Sequence, residues 1–376
     1  MARHSLTIAL TVSFAYLFTD MLVWRMPFDF VVVIFIAAIV VAAWLLIWKR
    51  KTGPVPLARP FVLYGTAFVI TVLFSISLDH SLNEFLLPVI SVIMFVLAAQ
   101  LAMVWPPHIF LAAMRNASWL LIVVIILITL FRAVTGGDLR PPSPNVLAAV
   151  FNLLLLPSLV EFVERPRRAL AIWIVAALAL VFVTASRGGW FGLAAGLMAL
   201  AAYYRSRLAA FWGQGIRFWP LAVPLGAIAV IWQITRIDHS ARWNFWLVAT
   251  AIFLRRPLLG SGPGTFNLFW LHLYPPPAWQ AMHAHSMIFN TAAEQGIVGL
   301  IALAVMALAV VRVAWRDVGL LAAVMAFAAH SLVDSLNVAP AVMITLAVLL
   351  GSRLGGLSHE HRLRTEMPYL QQVNRS

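Results

Sequence analysis

Three side chains are best suited to acid–base and anion chemistry here: His285, Arg187 and Arg242. Imidazole has an unperturbed pKa near neutrality, so a histidine can take a proton from a hydroxyl and release it again. His285-Ser286 precedes Gly296-Ile297-Val298-Gly299, with nine residues between. At about 100° per residue, a regular helix puts Gly296 about 20° and Gly299 about 40° from the direction of His285. One stripe then carries an imidazole and two glycines. Glycines on it admit a neighbouring helix or a ligand. Glu294 faces away unless the helix kinks near the glycines. The plainer alternatives are a histidine satisfied at the membrane interface and glycines that only pack helices.

Arg187 lies in Thr184-Ala185-Ser186-Arg187-Gly188-Gly189, a turn with almost no length between two apolar runs. Its guanidinium must sit at or inside the membrane boundary. Charge there is costly, by about 2.5–3.5 kcal/mol at the bilayer centre and less at the edge. It therefore pairs with an anion, and its planar fork suits phosphate. Arg242 opens an aromatic run, Arg242-Trp243-Asn244-Phe245-Trp246. Headgroup anchoring is the alternative for both arginines, and helix-end anchoring is the reading for Arg255 and Arg256. His330 and Asp334 are four residues apart and face one another on a helix. They orient each other or a substrate hydroxyl, or form a structural pair.

Several chemistries lack a candidate. There is no Asp-x-Asp for a metal-held nucleotide, no P-loop and no Gly-x-Ser-x-Gly elbow. His359-Glu360-His361 does not have zinc-protease spacing. The sequence has no cysteine, which excludes disulfides and thiolate metal sites. No metal site and no cofactor are expected.

The elements that must position these residues are membrane helices. Of 376 residues, 63% are hydrophobic and only 10% charged, against about 25% charged in soluble domains. The expected fold is all-α and integral to the membrane, a single polytopic domain over 1–376. Twelve spans fit, at roughly 6–24, 28–48, 61–78, 84–105, 115–133, 146–163, 169–185, 189–204, 218–235, 288–311, 318–335 and 338–354. The first is read as an uncleaved helix. The net charge of +13 fits an excess of Lys and Arg inside and anionic headgroups, with part of it available to an anionic substrate. Nucleic acid is not an expected partner.

With both termini cytoplasmic, the outer side holds Arg25, Arg132, Arg140, Arg187, Arg236, Arg242, Arg255 and Arg256, and the other eighteen of the 26 basic residues lie inside. Arginines on the translocated side run against topology, which suggests a functional reason for them. Four of them fall in one large outer loop, about 236–287. Residues 242–254 of that loop fit a helix lying in the interface. A Gly/Pro cluster, Pro257 to Gly264, follows. A cytoplasmic tail, about 355–376, ends the chain.

Taken in order, these pieces resemble the O-antigen ligase family of bacterial membrane glycosyltransferases, which includes O-antigen polymerases and protein O-oligosaccharyltransferases. Ser186-Arg187-Gly188-Gly189 is similar to its SRG motif. Arg242 through Gly264, with Pro257-Leu258-Leu259-Gly260 and Gly262-Pro263-Gly264, is similar to its Arg…PLLGxGPG loop. His285-Ser286-x9-Gly296-x-x-Gly299 is similar to its His-[Asn/Ser]-x9-Gly-x-x-Gly signature, and His330 with Asp334 to a weaker pair. The resemblance covers about 180–340. It implies a GT-C-like fold and metal-independent, inverting transfer of a glycan from undecaprenyl diphosphate at the periplasmic face of the inner membrane. Lipid A-core is the acceptor in the ligase branch. His285, Arg187 and Arg242 are then the catalytic set. Ser186, Ser286, Glu294, Gly296, Gly299, His330 and Asp334 are the substrate-binding set. A polymerase of O-antigen or exopolysaccharide is the alternative within the family, and a transporter or lipid flippase the alternative outside it. The compact outer loop carries no soluble domain to grip a protein acceptor.

Overall fold

A computed structural model describes residues 53–136, 141, 143–205, 239–273 and 281–366, and part of 7–17. The expected spans at 28–48 and 218–235 lie outside the described residues, as do most of 6–24, Arg25, Arg140 and Arg236. The regular elements among the described residues are helices: α1 (Ala58–Leu73), α2 (Leu78–Ala102), α3 (His108–Thr135), α4 (Pro144–Glu164), α5 (Arg168–Val183), α6 (Arg187–Tyr203), α7 (His239–Arg255), α8 (Phe266–Leu273), α9 (Met287–Ala314), α10 (Val318–Ser331), a 3₁₀ turn (Leu336–Val338) and α11 (Pro340–Glu366). Each expected span that falls fully on described residues has a helix. Five of these helices (α2, α3, α4, α9 and the Pro340–Leu357 part of α11) are long and apolar enough to cross a membrane. The chain is a multi-pass membrane protein.

It separates into two compact units. One takes Met1–Ala58, Val89–Ser143 and Met343–Ser376, and the other takes Arg59–Pro88 and Pro144–Val342. In the first, Gly351 and Gly355 of α11 lie against the backbone of Phe95 and Ala99 in α2, where any side chain would collide. Every described residue of the candidate catalytic and substrate-binding sets lies in the second unit.

Helix α4 is apolar on all sides and buried from Leu147 to Ser158, as a core helix must be. It packs against α5, α6 and α10. Helix α6 carries glycine at 188, 192 and 196, four residues apart, and this stripe meets α10. A Cβ at Gly192 would lie 2.6 Å from the Ala326 carbonyl oxygen, and one at Gly196 2.9 Å from that of Ala322. The two backbones touch, as small residues at this spacing allow. Helices α7, α8 and α9 share a second core built on Phe245, Val248, Ile252, Phe266, Trp270 and Ala293. Phe245 and Trp270 meet edge-on at 4.6 Å between centroids, and Trp246 stacks on Phe289 at 5.2 Å.

Candidate functional site

The turn between α5 and α6 is built by hydroxyls. Thr184 Oγ1 donates to the Val181 carbonyl and accepts the Ser186 amide. Ala185 takes a left-handed φ of 49°. Ser186 caps α6, its Oγ accepting the Gly189 amide at 3.0 Å and donating to Asn145 Oδ1 at 2.7 Å. Asn152 donates to the Gly189 carbonyl at 2.7 Å. This bracing sets Arg187 as the first residue of α6, exposed, at the positive end of the helix dipole. The next residue has no room for a side chain. A Cβ at Gly188 would lie 2.5 Å from His330 Cδ2 and 2.6 Å from its Nε2. Gly188 is therefore the seat of the His330 ring.

His285 lies ahead of α9, not on it. Ser286 is the N-cap, with extended backbone and no capping bond from its side chain, and His285 itself has a left-handed φ of 49°. Such a φ is strained for a residue with a Cβ, and strain of this kind gathers at functional sites. The regular stripe expected from His285 to Gly299 does not form. Gly296 breaks the helix with φ 62° and ψ −157°, a backbone conformation open essentially to glycine alone. The break frees four backbone groups, and the Pro257–Gly264 loop takes all of them. Ser261 N–H donates to the Ala293 carbonyl at 2.9 Å and Gly262 N–H to that of Glu294 at 2.8 Å. In return, Ile297 N–H donates to the Pro257 carbonyl at 2.8 Å and Val298 N–H to that of Leu258 at 3.2 Å. Gly260 and Gly296 permit this approach, since a Cβ on Gly296 would lie 2.5 Å from the Leu258 carbonyl oxygen. Gly299 lies beneath the bend, covered by the side chain of Gln295.

Helix α10 ends at Ser331, so His330 and Asp334 are not four apart on one helix face as expected. Reverse bonds from Leu332 N–H to Ala329 and Val333 N–H to His330 tighten the exit. The chain then turns and delivers Asp334 to His285. His285 Nδ1 and Asp334 Oδ1 are 3.2 Å apart, and Oδ1 also accepts the Ser335 amide at 2.9 Å. Ser335 Oγ accepts the Ser286 amide at 3.1 Å, which ties the same two segments together. Phe245 lies against the His285 ring, 5.1 Å between centroids. Arg242 reaches over from α7, its Nη1 donating to the Val333 carbonyl at 2.9 Å.

Charge binds the group together. Burial alone would raise the Asp334 pKa. The hydrogen bond to His285 and the charges of His285, His330 and Arg242 outweigh that and hold it at about 2. Burial draws the Arg242 guanidinium below its usual range, opposed by the Asp334 carboxylate and assisted by the positive charge of Arg187. The two arginines are thus close enough to repel, and the Asp334 carboxylate offsets part of that repulsion. His330 is 1% exposed, and neither ring nitrogen has a hydrogen-bond partner among the described residues. Burial pushes His283 down to about 4, with His285 adding to the fall and Asp334 opposing it.

The structure therefore gathers His285, Arg187, Arg242, His330 and Asp334. Ser186 stands beside them as a helix cap. Ser286 contributes its backbone, while Glu294, Gly296 and Gly299 serve the interior of α9 and the loop docked on it. Sequence reasoning missed Phe245, Ser335, Asn145 and Asn290. The four-residue glycine spacing of α6 was a readable signal for the seat of His330. The partners Asn145 and Ser335, 41 and 49 residues away from the residues they bind, had none.

No curated protein matches the chain. Residues 172–304 match the family model described as O-antigen ligase. The matched segment contains Arg187, Arg242, His285 and the kink at Gly296, while His330 and Asp334 lie beyond its end. Over this segment the chain is similar to the O-antigen ligase family, and the match supports that assignment.

Proposed function

We propose that the protein is a glycosyltransferase of the inner membrane that moves a glycan from undecaprenyl diphosphate to a sugar hydroxyl at the periplasmic face. The ligase reading, transfer of O-antigen to lipid A-core, is the one adopted. The observation that carries the transferase reading is the Asp334–His285 pair at 3.2 Å with Arg242 and Arg187 beside it, and the His285-Ser286-x9-Gly296-x-x-Gly299 spacing favours the ligase branch. Asp334 accepts the proton of Nδ1, which leaves the Nε2 lone pair to take the proton of the acceptor hydroxyl. The acceptor oxygen forms its bond to the anomeric carbon from the face opposite the diphosphate. The carbon–oxygen bond to the diphosphate breaks, its electron pair leaves with the phosphate, and the configuration inverts. Arg187 and Arg242 stabilise the charge that develops on the leaving group.

Guanidinium groups supply the positive charge, so transfer is expected to persist in EDTA. A loss that divalent ions restore would refute the metal-independent step. Eighteen of the 26 basic residues fall on one side of the expected spans, which supports cytoplasmic termini. Trp243, Leu247 and Leu254 are exposed apolar residues on α7, as a helix lying in the interface requires. Deletion of the gene, read on a glycan gel, tests the function. Loss of all long chains from lipid A-core with accumulation of lipid-linked polymer supports ligation. A single repeat unit on the core means polymerisation, and unchanged glycans refute both.

A further inference from the structure

We infer that Glu294 and Asn290 are positioning residues for His285, joined to it through two arms that start from one carboxylate. The inference rests on the proposed role of His285 as the base. Glu294 and Asn290 are each 3% exposed, so neither presents a surface to a substrate. Asn290 Nδ2 donates to Glu294 Oε2 at 2.9 Å, and Asn290 Oδ1 accepts the Ala284 amide at 3.1 Å. That bond fixes the His283–Ala284 peptide, one residue ahead of His285, whose left-handed φ needs its neighbouring chain held. The other arm runs through α8. Glu294 Oε1 accepts the Phe266 amide at 3.1 Å at the first residue of that helix. One turn on, Trp270 packs edge-on against Phe245, and Phe245 packs on the His285 ring. Backbone and ring of His285 are held from the same buried acid. The Pro257–Gly264 loop is fastened to the same point, because the Glu294 carbonyl accepts the Gly262 amide at 2.8 Å.

The chain of bonds has a fixed polarity. The Ala284 amide can only donate, so the Asn290 oxygen must face it and the Asn290 amino group must face position 294. Both oxygens of Glu294 therefore have to accept. Glu294→Gln keeps the shape but offers one oxygen and one amino group. If the new carboxamide oxygen serves Phe266, its amino group meets the amino group of Asn290. Flipping Asn290 moves the conflict to Ala284. Asn290→Asp combined with Glu294→Gln restores the chain of bonds from Phe266 through positions 294 and 290 to Ala284. The carboxamide oxygen at position 294 accepts from Phe266, and its amino group donates to the carboxylate now at position 290. The second oxygen of that carboxylate accepts from Ala284.

The test uses the full chain in nanodiscs, with two readouts. The first is kcat for glycan transfer from a lipid-linked donor. Glu294→Gln is expected to lower kcat about 10- to 100-fold with KM nearly unchanged, as misplacement of a reacting group does. The double variant is expected to return to within about 3-fold of the parent. The second readout does not need activity. It is the ¹⁵N side-chain NMR signal of His285, assigned by its loss in His285→Gln. That signal should move in Glu294→Gln and return in the double variant. A folded Glu294→Gln protein with an unmoved His285 signal overturns the inference, and so does a double variant no better than the single. If the signals move and recover but the parent protein transfers no glycan, the positioning stands and the proposed function falls.

Discussion

Replacing Asp334 by Asn changes one oxygen to nitrogen and tests whether His285 is a base. The parent carboxylate accepts from both His285 Nδ1 and the Ser335 amide through Oδ1. In the Asp334→Asn variant the remaining carboxamide oxygen can keep the Ser335 bond, which preserves the turn after α10. That same oxygen still faces Nδ1, and the amino group takes the place of Oδ2, so the ring tautomer is kept. What the substitution removes is the negative charge. Two unit charges about 4 Å apart at an effective dielectric of about 20 interact by about 4 kcal/mol. The His285 side chain is 31% exposed, so water screens part of this. About 3 kcal/mol of stabilisation of the transient imidazolium remains, equivalent to a fall of about 150-fold in kcat. The assay is transfer by purified protein in nanodiscs, with kcat followed against pH. A folded Asp334→Asn protein within about 3-fold of the parent, with the same pH profile, would refute the pairing as a catalytic device.

Other substitutions separate the parts. Gly296→Ala puts a Cβ against the Leu258 carbonyl at a backbone geometry that only glycine favours. It should lower stability by about 3 kcal/mol or more, read as the loss of folded protein on heating in detergent. Arg187→Lys keeps the charge but not the fork, and should lose most of the transfer rate; a parental rate would remove the bidentate phosphate contact. His283 supplies the pH dependence. Its folded pKa of about 4 lies below the ordinary histidine value, so between those two pH values the unfolded chain binds more protons. Stability then rises with pH across that window and falls on acidification, by about 2 kcal/mol between about pH 7 and about pH 5. His283→Phe should lower that slope in thermal melts, and an unchanged slope would show that this buried imidazole does not contribute to it.

Helices were legible where one physical signal sufficed. Apolar runs of spanning length give α4 and α9 within about three residues, and α2 and α3 with starts six and seven residues late, because lipid forces the backbone of such runs to satisfy itself internally. The turn at Ser186 was legible in position but not in purpose. Its serine reads as a substrate contact in sequence and acts as the cap of α6, whose partner Asn145 lies 41 residues away. The end of α10 was illegible, since Leu332 and Val333 continue the apolar pattern while the backbone has already turned. That turn decides the partner of Asp334. Four-residue spacing pointed to His330, and the irregular exit delivered the carboxylate to His285 instead.

The spacing from His285 to Gly296 carries a different meaning from the helical stripe it suggests. A stripe would require one regular helix through both residues, and the chain has none. Helix α9 starts after His285 and bends at Gly296. What the interval measures is the reach from a strained strap to a docking point. Asn290 falls one turn into the helix, where its side chain meets the Ala284 amide. Glu294 falls one turn further, where it meets Asn290 and α8. Gly296 follows two residues later, where the helix must open to receive the Pro257–Gly264 loop. Inserting one residue between Asn290 and Glu294 would rotate the carboxylate by about 100° and detach both arms from His285. The fixed interval is therefore set by the hydrogen-bond chain inside α9.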